Sequence, residues 1–237
     1  MCEVLNLVTR IAVLLAVFCL VSNSAQAQRR QQQRQAAQAQ NGDVWETPAL
    51  GLEYRIDKKW SFHLDAQLRF DQGMSRVRSL QVRPGLEYAL TPNWALAAGY
   101  VQYTRYLQGA RQSRGPFQDI LYRNRVEGLP IVGRLRWEEL FYDNNTLLVR
   151  TRALAGVRIP LGAPWELALS NEVYINVGVD RPTTQAGFAQ NHAFIGFGRP
   201  LTSLAKASAG YELDTIRSLN GFRNEHNIKL NIIFNLN

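Results

Sequence analysis

The chain has 237 residues, of which 46% are hydrophobic and 19% charged, and its 27 Lys and Arg against 19 Asp and Glu give a formal net charge of +8. This length suits a single domain of sandwich or barrel size. The basic balance alone could indicate a nucleic-acid partner, but the arginines are spread along strand-like segments, so we predict no nucleic-acid binding.

The first 27 residues have the features of a secretory signal peptide. Arg10 precedes an apolar run too short to span a membrane as a helix, and residues 25–27 form an A-x-A cleavage site. We therefore expect residues 1–27 to be removed on export. Both cysteines, Cys2 and Cys19, lie in this segment, so the exported chain would have no disulfide and no thiolate ligand.

Residues 28–44 form a low-complexity segment rich in Gln and Arg. Such a composition has little apolar surface to bury, so it predicts a disordered arm. Two roles are open for this arm, a solvated tail or a basic segment that threads a lumen, and the tail is the simpler interpretation. The remainder, residues 45–237, is predicted to form one β-domain.

The clearest strand lies between Trp60 and Phe70. Every even position in this segment is apolar, and from His63 every odd position is polar. A period of two residues predicts an extended strand whose side chains alternate between two faces. Its length also matches the ~9–11 residues that a tilted strand needs to cross a bilayer.

The same alternation recurs to the end of the chain, and no segment has a helical period. In chain order, the predicted strands are residues 45–56, 60–70, 80–90, 94–106, 118–129, 132–142, 147–159, 165–177, 192–198, 205–214 and 227–236. These segments predict an all-β, antiparallel transmembrane barrel of 10–12 strands. Because an odd number of strands cannot close a purely antiparallel sheet, we expect ten or twelve.

The residues around the turns favour a membrane barrel over a soluble periplasmic one. Trp60, Trp94 and Trp165 each follow a short turn at the same hairpin end, which predicts an aromatic girdle at a membrane interface. The expected turns also alternate between short ones and longer polar loops, a pattern typical of outer-membrane barrels. We therefore expect a location in the bacterial outer membrane of a Gram-negative cell. The expected partners are lipid, lipopolysaccharide and, during biogenesis, the barrel-assembly machinery.

The polar faces of the strands are rich in arginine and also contain acids, which suits ion pairs in a water-poor interior. The predicted lumen charge network consists of Asp65, Arg69, Arg83, Glu87, Arg123, Arg125, Arg134, Arg136, Glu138, Arg150, Arg152, Glu166 and Glu172. The arginines at 123–152 are expected to form one basic wall. This wall could be the anion-attracting eyelet of a narrow, porin-like channel, or part of a structural ion network that fills the lumen. We favour the network, because a barrel of this size lies between filled and open lumens.

The histidines offer little support for catalysis. An outer-membrane lipid-modifying or proteolytic enzyme would need His with an acid, or with Ser and Asn. His63 with Asp65 is the nearest approach, and Phe194 stands two residues after His192, where a phospholipase of this membrane would carry serine. We therefore predict no enzymatic activity, no catalytic residue and no cofactor. The scattered histidines have no metal-binding spacing, so no metal is expected either.

Several short motifs together resemble a family of outer-membrane barrels catalogued as domain of unknown function 2490. The motifs that carry the resemblance are Trp45, Lys59-Trp60, Gly99-Tyr100, Arg150-Thr151-Arg152, Pro160-Leu161 and Asn171-Glu172. The chain departs from the family at His192, where an arginine is usual after Gln-Asn, and it ends in Asn237 rather than in the terminal aromatic residue common in outer-membrane barrels. The resemblance implies the fold and the outer-membrane location, and it implies no activity.

Overall fold

The computed structural model describes residues 44–71, 74–106, 110–179, 185–218 and 221–236. In chain order, its strands are β1 (Val44–Arg55), β2 (Trp60–Asp71), β3 (Arg76–Ala89), β4 (Trp94–Arg105), β5 (Arg111–Val126), β6 (Leu129–Tyr142), β7 (Leu147–Gly162), β8 (Trp165–Val179), β9 (Gly187–Pro200), β10 (Ala205–Ser218) and β11 (Gly221–Leu236). The predicted signal peptide and the arm up to residue 43 lie outside the described residues. Within the described ranges, no helix is long and apolar enough to cross a membrane.

The eleven strands form one closed barrel in which each strand pairs with its sequence neighbour in antiparallel fashion. The barrel closes through β1 and β11, which run parallel from the pair Val44 and His226 to the pair Tyr54 and Leu236. The predicted all-β barrel is therefore confirmed. The expectation of a purely antiparallel sheet with ten or twelve strands is wrong, because one parallel pair allows an odd number of strands to close.

The parallel closure places the two ends of the described chain at opposite ends of the barrel, Val44 at one and Leu236 at the other. We call the end that contains the turns at 56–59, 90–93, 127–128, 163–164 and 201–204 the short-turn end. The connections at the other end are two to seven residues long, which is short for the longer polar loops that the sequence predicted. The long polar loop expected at 107–116 is mostly strand, since β5 begins at Arg111.

Side chains alternate between the two faces of the barrel wall as the period of two predicts. Large apolar residues point outward and remain exposed, as at Leu96 (44%), Leu135 (49%) and Ile195 (49%). Their sequence neighbours point inward and are mostly polar, as at Arg136 and Glu138, which are 4% and 0% exposed. The exposed apolar face therefore lies outside, and the charged face lines the interior.

One β-bulge changes this alternation on β3. The pairing of β2 with β3 shifts between Arg69 and Phe70, which face Ser79 and Val77, so that Arg78 is the extra residue. A bulge places two successive side chains on the same side of the strand. Arg78 and Ser79 both point inward as a result, and they are 6% and 4% exposed.

Candidate functional site

Glu138 on β6 is the centre of an ion-pair network inside the barrel. Its side chain is completely buried, with Oε2 2.5 Å from Arg150 Nη2 and Oε1 2.8 Å from Arg152 Nη1. A third guanidinium, Arg136 Nη1, lies 3.6 Å from Oε1. Because Glu138 faces Arg150 and Arg136 faces Arg152 across β6 and β7, strand register alone brings these four side chains together.

The network continues from these residues to the neighbouring strands. Glu172 on β8 accepts two hydrogen bonds from Arg152, both at 2.9 Å, and one from Arg134 at 2.7 Å. Asp119 on β5 accepts two hydrogen bonds from Arg136, both at 2.6 Å. We call the complete set the Glu138 network: Asp119, Arg134, Arg136, Glu138, Arg150, Arg152 and Glu172. Four arginines thus face three carboxylates, and the predicted basic wall is interleaved with acids.

Aromatic rings support the guanidinium groups of this network. The Arg136 guanidinium carbon lies 4.0 Å from the centre of the Phe117 ring, and the equivalent carbon of Arg152 lies 4.4 Å from the centre of the Tyr174 ring. Cation–π contacts of this kind stabilise a charge that has lost its water. Phe117 is completely buried, so it also fills the interior beside the ion pairs.

A second group of ion pairs joins strands that are not neighbours. Arg69 on β2 reaches past β1 to Glu225 on β11 at 3.7 Å, and to Asp214 on β10 at 3.4 Å. Arg78 lies 3.3 Å from Glu225, and its guanidinium carbon is 3.2 Å from the centre of the Trp45 ring. These contacts pass over β1 on the inner side of the wall and join β2 and β3 to β10 and β11.

The remaining predicted charges lie nearer the short-turn end. Asp65 pairs with Arg83 at 2.6 Å, and Glu87 pairs with Arg123 at 2.6 Å. Glu166 lies 3.4 Å from Arg158, and both side chains are partly exposed. Arg125 lies next to the end of β5 and donates a hydrogen bond to the carbonyl of Gly128 in the turn.

Sequence reasoning missed several members of these networks. Asp119 shares the parity of Arg123 on β5 and could have been found from the alternation. Arg78 could not, because the bulge reverses its expected face. Glu225 was missed because β11 begins at Gly221, six residues before the predicted start at 227.

A cavity of about 700 Å³, which we call the vestibule, occupies the interior toward the short-turn end. Arg55, Glu87 and Arg123 line it near that end, and Arg136 and Glu172 line it deeper in the barrel. Deeper in the barrel, five inward-facing side chains on five different strands are completely buried. These residues are Thr47, Phe117, Glu138, Asp214 and Asn227.

The three predicted girdle residues lie on the outer wall at the short-turn end. Trp60, Trp94 and Trp165 are 42%, 46% and 47% exposed, and each is the first residue of its strand. The turn before Trp60 is organised by Asp57, whose Oδ1 accepts hydrogen bonds from the amides of Lys59 and Trp60, both at 2.7 Å. These two bonds lower the pKa of the Asp57 carboxyl group.

Tyrosines from neighbouring strands extend this aromatic ring. Tyr88 packs against Trp60 with ring centres 4.9 Å apart, and Tyr122 packs against Trp94 at 4.7 Å. Toward the opposite end, exposed Tyr100, Phe141 and Phe222 also lie on the outer wall. On β4, Trp94 and Tyr100 share a face and are six residues apart, which corresponds to ~20 Å along a strand.

The histidines have surroundings that their sequence positions did not predict. The Asp65 carboxylate, considered above as a partner of His63, is held by Arg83. His192 instead lies beside two buried acids of β10, with Nδ1 3.8 Å from Glu212 Oε1 and 3.4 Å from Asp214 Oδ1. His192 lies on β9 and the two acids lie on β10, so no spacing in the sequence could have revealed the cluster.

Two comparisons show which known proteins this chain is similar to. Residues 44–226 match the model of a family described as "Protein of unknown function (DUF2490)". An uncharacterized protein of Methylorubrum extorquens is 24% identical over 229 residues, which covers 93% of this chain and 96% of the relative. The family match includes ten complete strands and the first part of β11.

Proposed function

This chain belongs to the DUF2490 family, and we propose that it is an integral β-barrel of the bacterial outer membrane. The distribution of side chains across the wall supports this proposal: apolar residues such as Leu135 and Ile195 are exposed outside, while ion pairs lie inside. A soluble barrel would be expected to have the reverse arrangement. Aromatic residues at the short-turn end, such as Trp60, and at the opposite end, such as Phe141 and Phe222, have the placement expected of side chains at the two interfaces of a bilayer.

Within that location, the barrel's proposed role is structural or ligand-binding, without enzymatic activity and without free passage of solutes. The observation that carries this proposal is the complete burial of inward-facing Phe117, Glu138 and Asn227, which leaves little room for water at their depth. The vestibule would then be a pocket open at one end. Lipid and lipopolysaccharide would contact the outer wall, and the barrel-assembly machinery would insert the chain.

The membrane location predicts the behaviour of the protein during fractionation. It is expected to remain in sedimented envelopes after washing with alkaline carbonate and to dissolve only when detergent is added. The unheated protein should migrate faster than the boiled protein on a denaturing gel, because a closed barrel stays compact until heated. A soluble periplasmic marker provides the control. Release of this chain together with that marker would contradict the membrane proposal.

The closed interior predicts the electrical behaviour of the purified barrel. Inserted into a planar bilayer, it is expected to give no steady single-channel current in potassium chloride, because ion pairs and aromatic side chains fill the interior beyond the vestibule. A known porin inserted under the same conditions serves as the positive control. Reproducible current steps whose anion preference falls after substitution of Arg134 or Arg136 would favour the channel alternative instead.

A further inference from the structure

The cluster of His192, Glu212 and Asp214 has the geometry of a ligand set. His192 Nδ1, Glu212 Oε1 and Asp214 Oδ1 all lie within 4.8 Å of one another. The residues come from the adjacent strands β9 and β10, where His192 faces Asp214 directly. Because Glu212 and Asp214 are two positions apart on one strand, both carboxylates project from the same face toward the imidazole.

One ring nitrogen and two carboxylate oxygens converge here. Glu212 Oε1 and Asp214 Oδ1 are both buried and without a hydrogen-bond partner. His192 Nε2 lies 3.0 Å from Gln190 Oε1. With the Gln190 carbonyl as acceptor, the imidazole proton resides on Nε2, and Nδ1 presents a lone pair to the two carboxylate oxygens. Three buried lone pairs facing one another are unfavourable unless a positive species lies between them.

Each of these three side chains is also held from behind. Lys229 Nζ donates to the other oxygen of Glu212 at 2.6 Å, and Arg69 Nη2 donates to the other oxygen of Asp214 at 3.4 Å. The Gln190 carbonyl, 3.0 Å from His192 Nε2, orients the imidazole on the side away from the cluster. Hydrogen bonds to the far side of each ligand are the usual means by which proteins orient metal ligands.

We propose that His192, Glu212 and Asp214 bind a divalent first-row transition-metal ion such as Zn²⁺. Zinc lies ~2.0–2.2 Å from nitrogen and carboxylate oxygen ligands, so a tetrahedral site separates its ligand atoms by ~3.3–3.5 Å. The observed separations of 3.4 Å and 3.8 Å from Nδ1 are close to this range. An imidazole ligand disfavours Ca²⁺ and Mg²⁺, which select oxygen.

The vestibule provides the route of entry, and Lys229 controls the affinity. His192, Glu212 and Lys229 all line the vestibule, so an ion can reach the cluster from the short-turn end. Lys229 already pairs with Glu212, and Arg69 already pairs with Asp214. An incoming metal ion must therefore compete with these two cations. The Lys229 side chain is 19% exposed, and its positive charge lies at the cavity wall. Removing its charge should therefore strengthen binding.

Calorimetric titration of the folded, detergent-solubilised barrel with ZnCl₂ tests the proposal, with MgCl₂ as the control ion. One Zn²⁺ per chain is expected, and His192→Ala should weaken binding by at least about tenfold. His63→Ala is the matched control, since His63 lines the same vestibule outside the cluster, and its affinity should stay unchanged. Lys229→Gln should raise the affinity at least about tenfold, because glutamine keeps a hydrogen-bond donor for Glu212 while the nearby positive charge is removed.

The outcomes separate a metal site from a structural ion network. Absence of Zn²⁺ binding in the wild-type barrel would overturn the proposal, and so would equal binding by the wild type and His192→Ala. If His192→Ala does not fold, as judged by its heat-dependent gel migration, Lys229→Gln decides: an unchanged or lower affinity contradicts the site. None of these results depends on whether the barrel resides in the outer membrane.

Discussion

Replacement of Glu138 with alanine is expected to lower the free energy of unfolding by about 3–5 kcal/mol, the range typical of a buried ion pair that loses one partner. Glu138 is completely buried and lies within 4 Å of Arg136, Arg150 and Arg152. Its removal leaves an excess of positive charge that the interior cannot solvate. Urea unfolding in lipid vesicles, followed by tryptophan fluorescence, would measure the loss.

Two further variants show whether burial causes this loss. Glu166→Gln disrupts a half-exposed pair with Arg158, and its cost should not exceed about 1 kcal/mol, because water screens such pairs. The double variant Glu138→Ala/Arg150→Ala should recover part of the stability, since it removes one of the uncompensated charges. Equal effects of Glu138→Ala and Glu166→Gln would contradict a central role for Glu138.

Replacement of Leu135 with arginine is expected to destabilise the inserted barrel by about 2–4 kcal/mol, the cost of a cation at the bilayer midplane on a lipid-facing strand. Leu135 lies in the middle of β6 and is 49% exposed on the outer wall. The same urea titration in vesicles would measure the difference from the wild type.

Leu90→Arg is the matched control for this substitution. Leu90 has a similar exposure of 53%, but it lies in the turn between β3 and β4, where the cost near the interface should be about 0–1 kcal/mol. A soluble barrel would tolerate arginine equally at both positions, because both side chains would face water. Equal stability of the two variants would therefore argue against the membrane proposal.

Much of the fold could be predicted because strand alternation is a local property. The period of two between Trp60 and Phe70 reflects the pleat of an extended chain, and it requires no knowledge of the partner strand. The same alternation located all eleven strands within the described part of the chain. Strand ends were less predictable. The polar residues before Gln118 resemble a loop, yet residues 111–116 pair with β4 as the first part of β5.

The sequence predicted which charged residues share the inner face, but it did not predict which acid pairs with which arginine. Alternation placed Arg134, Arg136 and Glu138 on one face, but the choice of Asp119 as the partner of Arg136 depends on the register between β5 and β6. Register is a relation between two strands. For this reason, the sequence could not show that acids from neighbouring strands lie between the arginines of the predicted wall.

Apart from the bulge, the sequence by itself determined which residues share a face of the barrel wall, because each side chain's face follows from its position in the pleat. Only the tertiary structure decided the parallel closure of β1 with β11, the bulge at Arg78 and the meeting of His192 with Asp214. These features join residues that are distant along the chain, and the pairing of the strands brings them together. Which charged side chains meet inside the barrel therefore depends on how the strands pair.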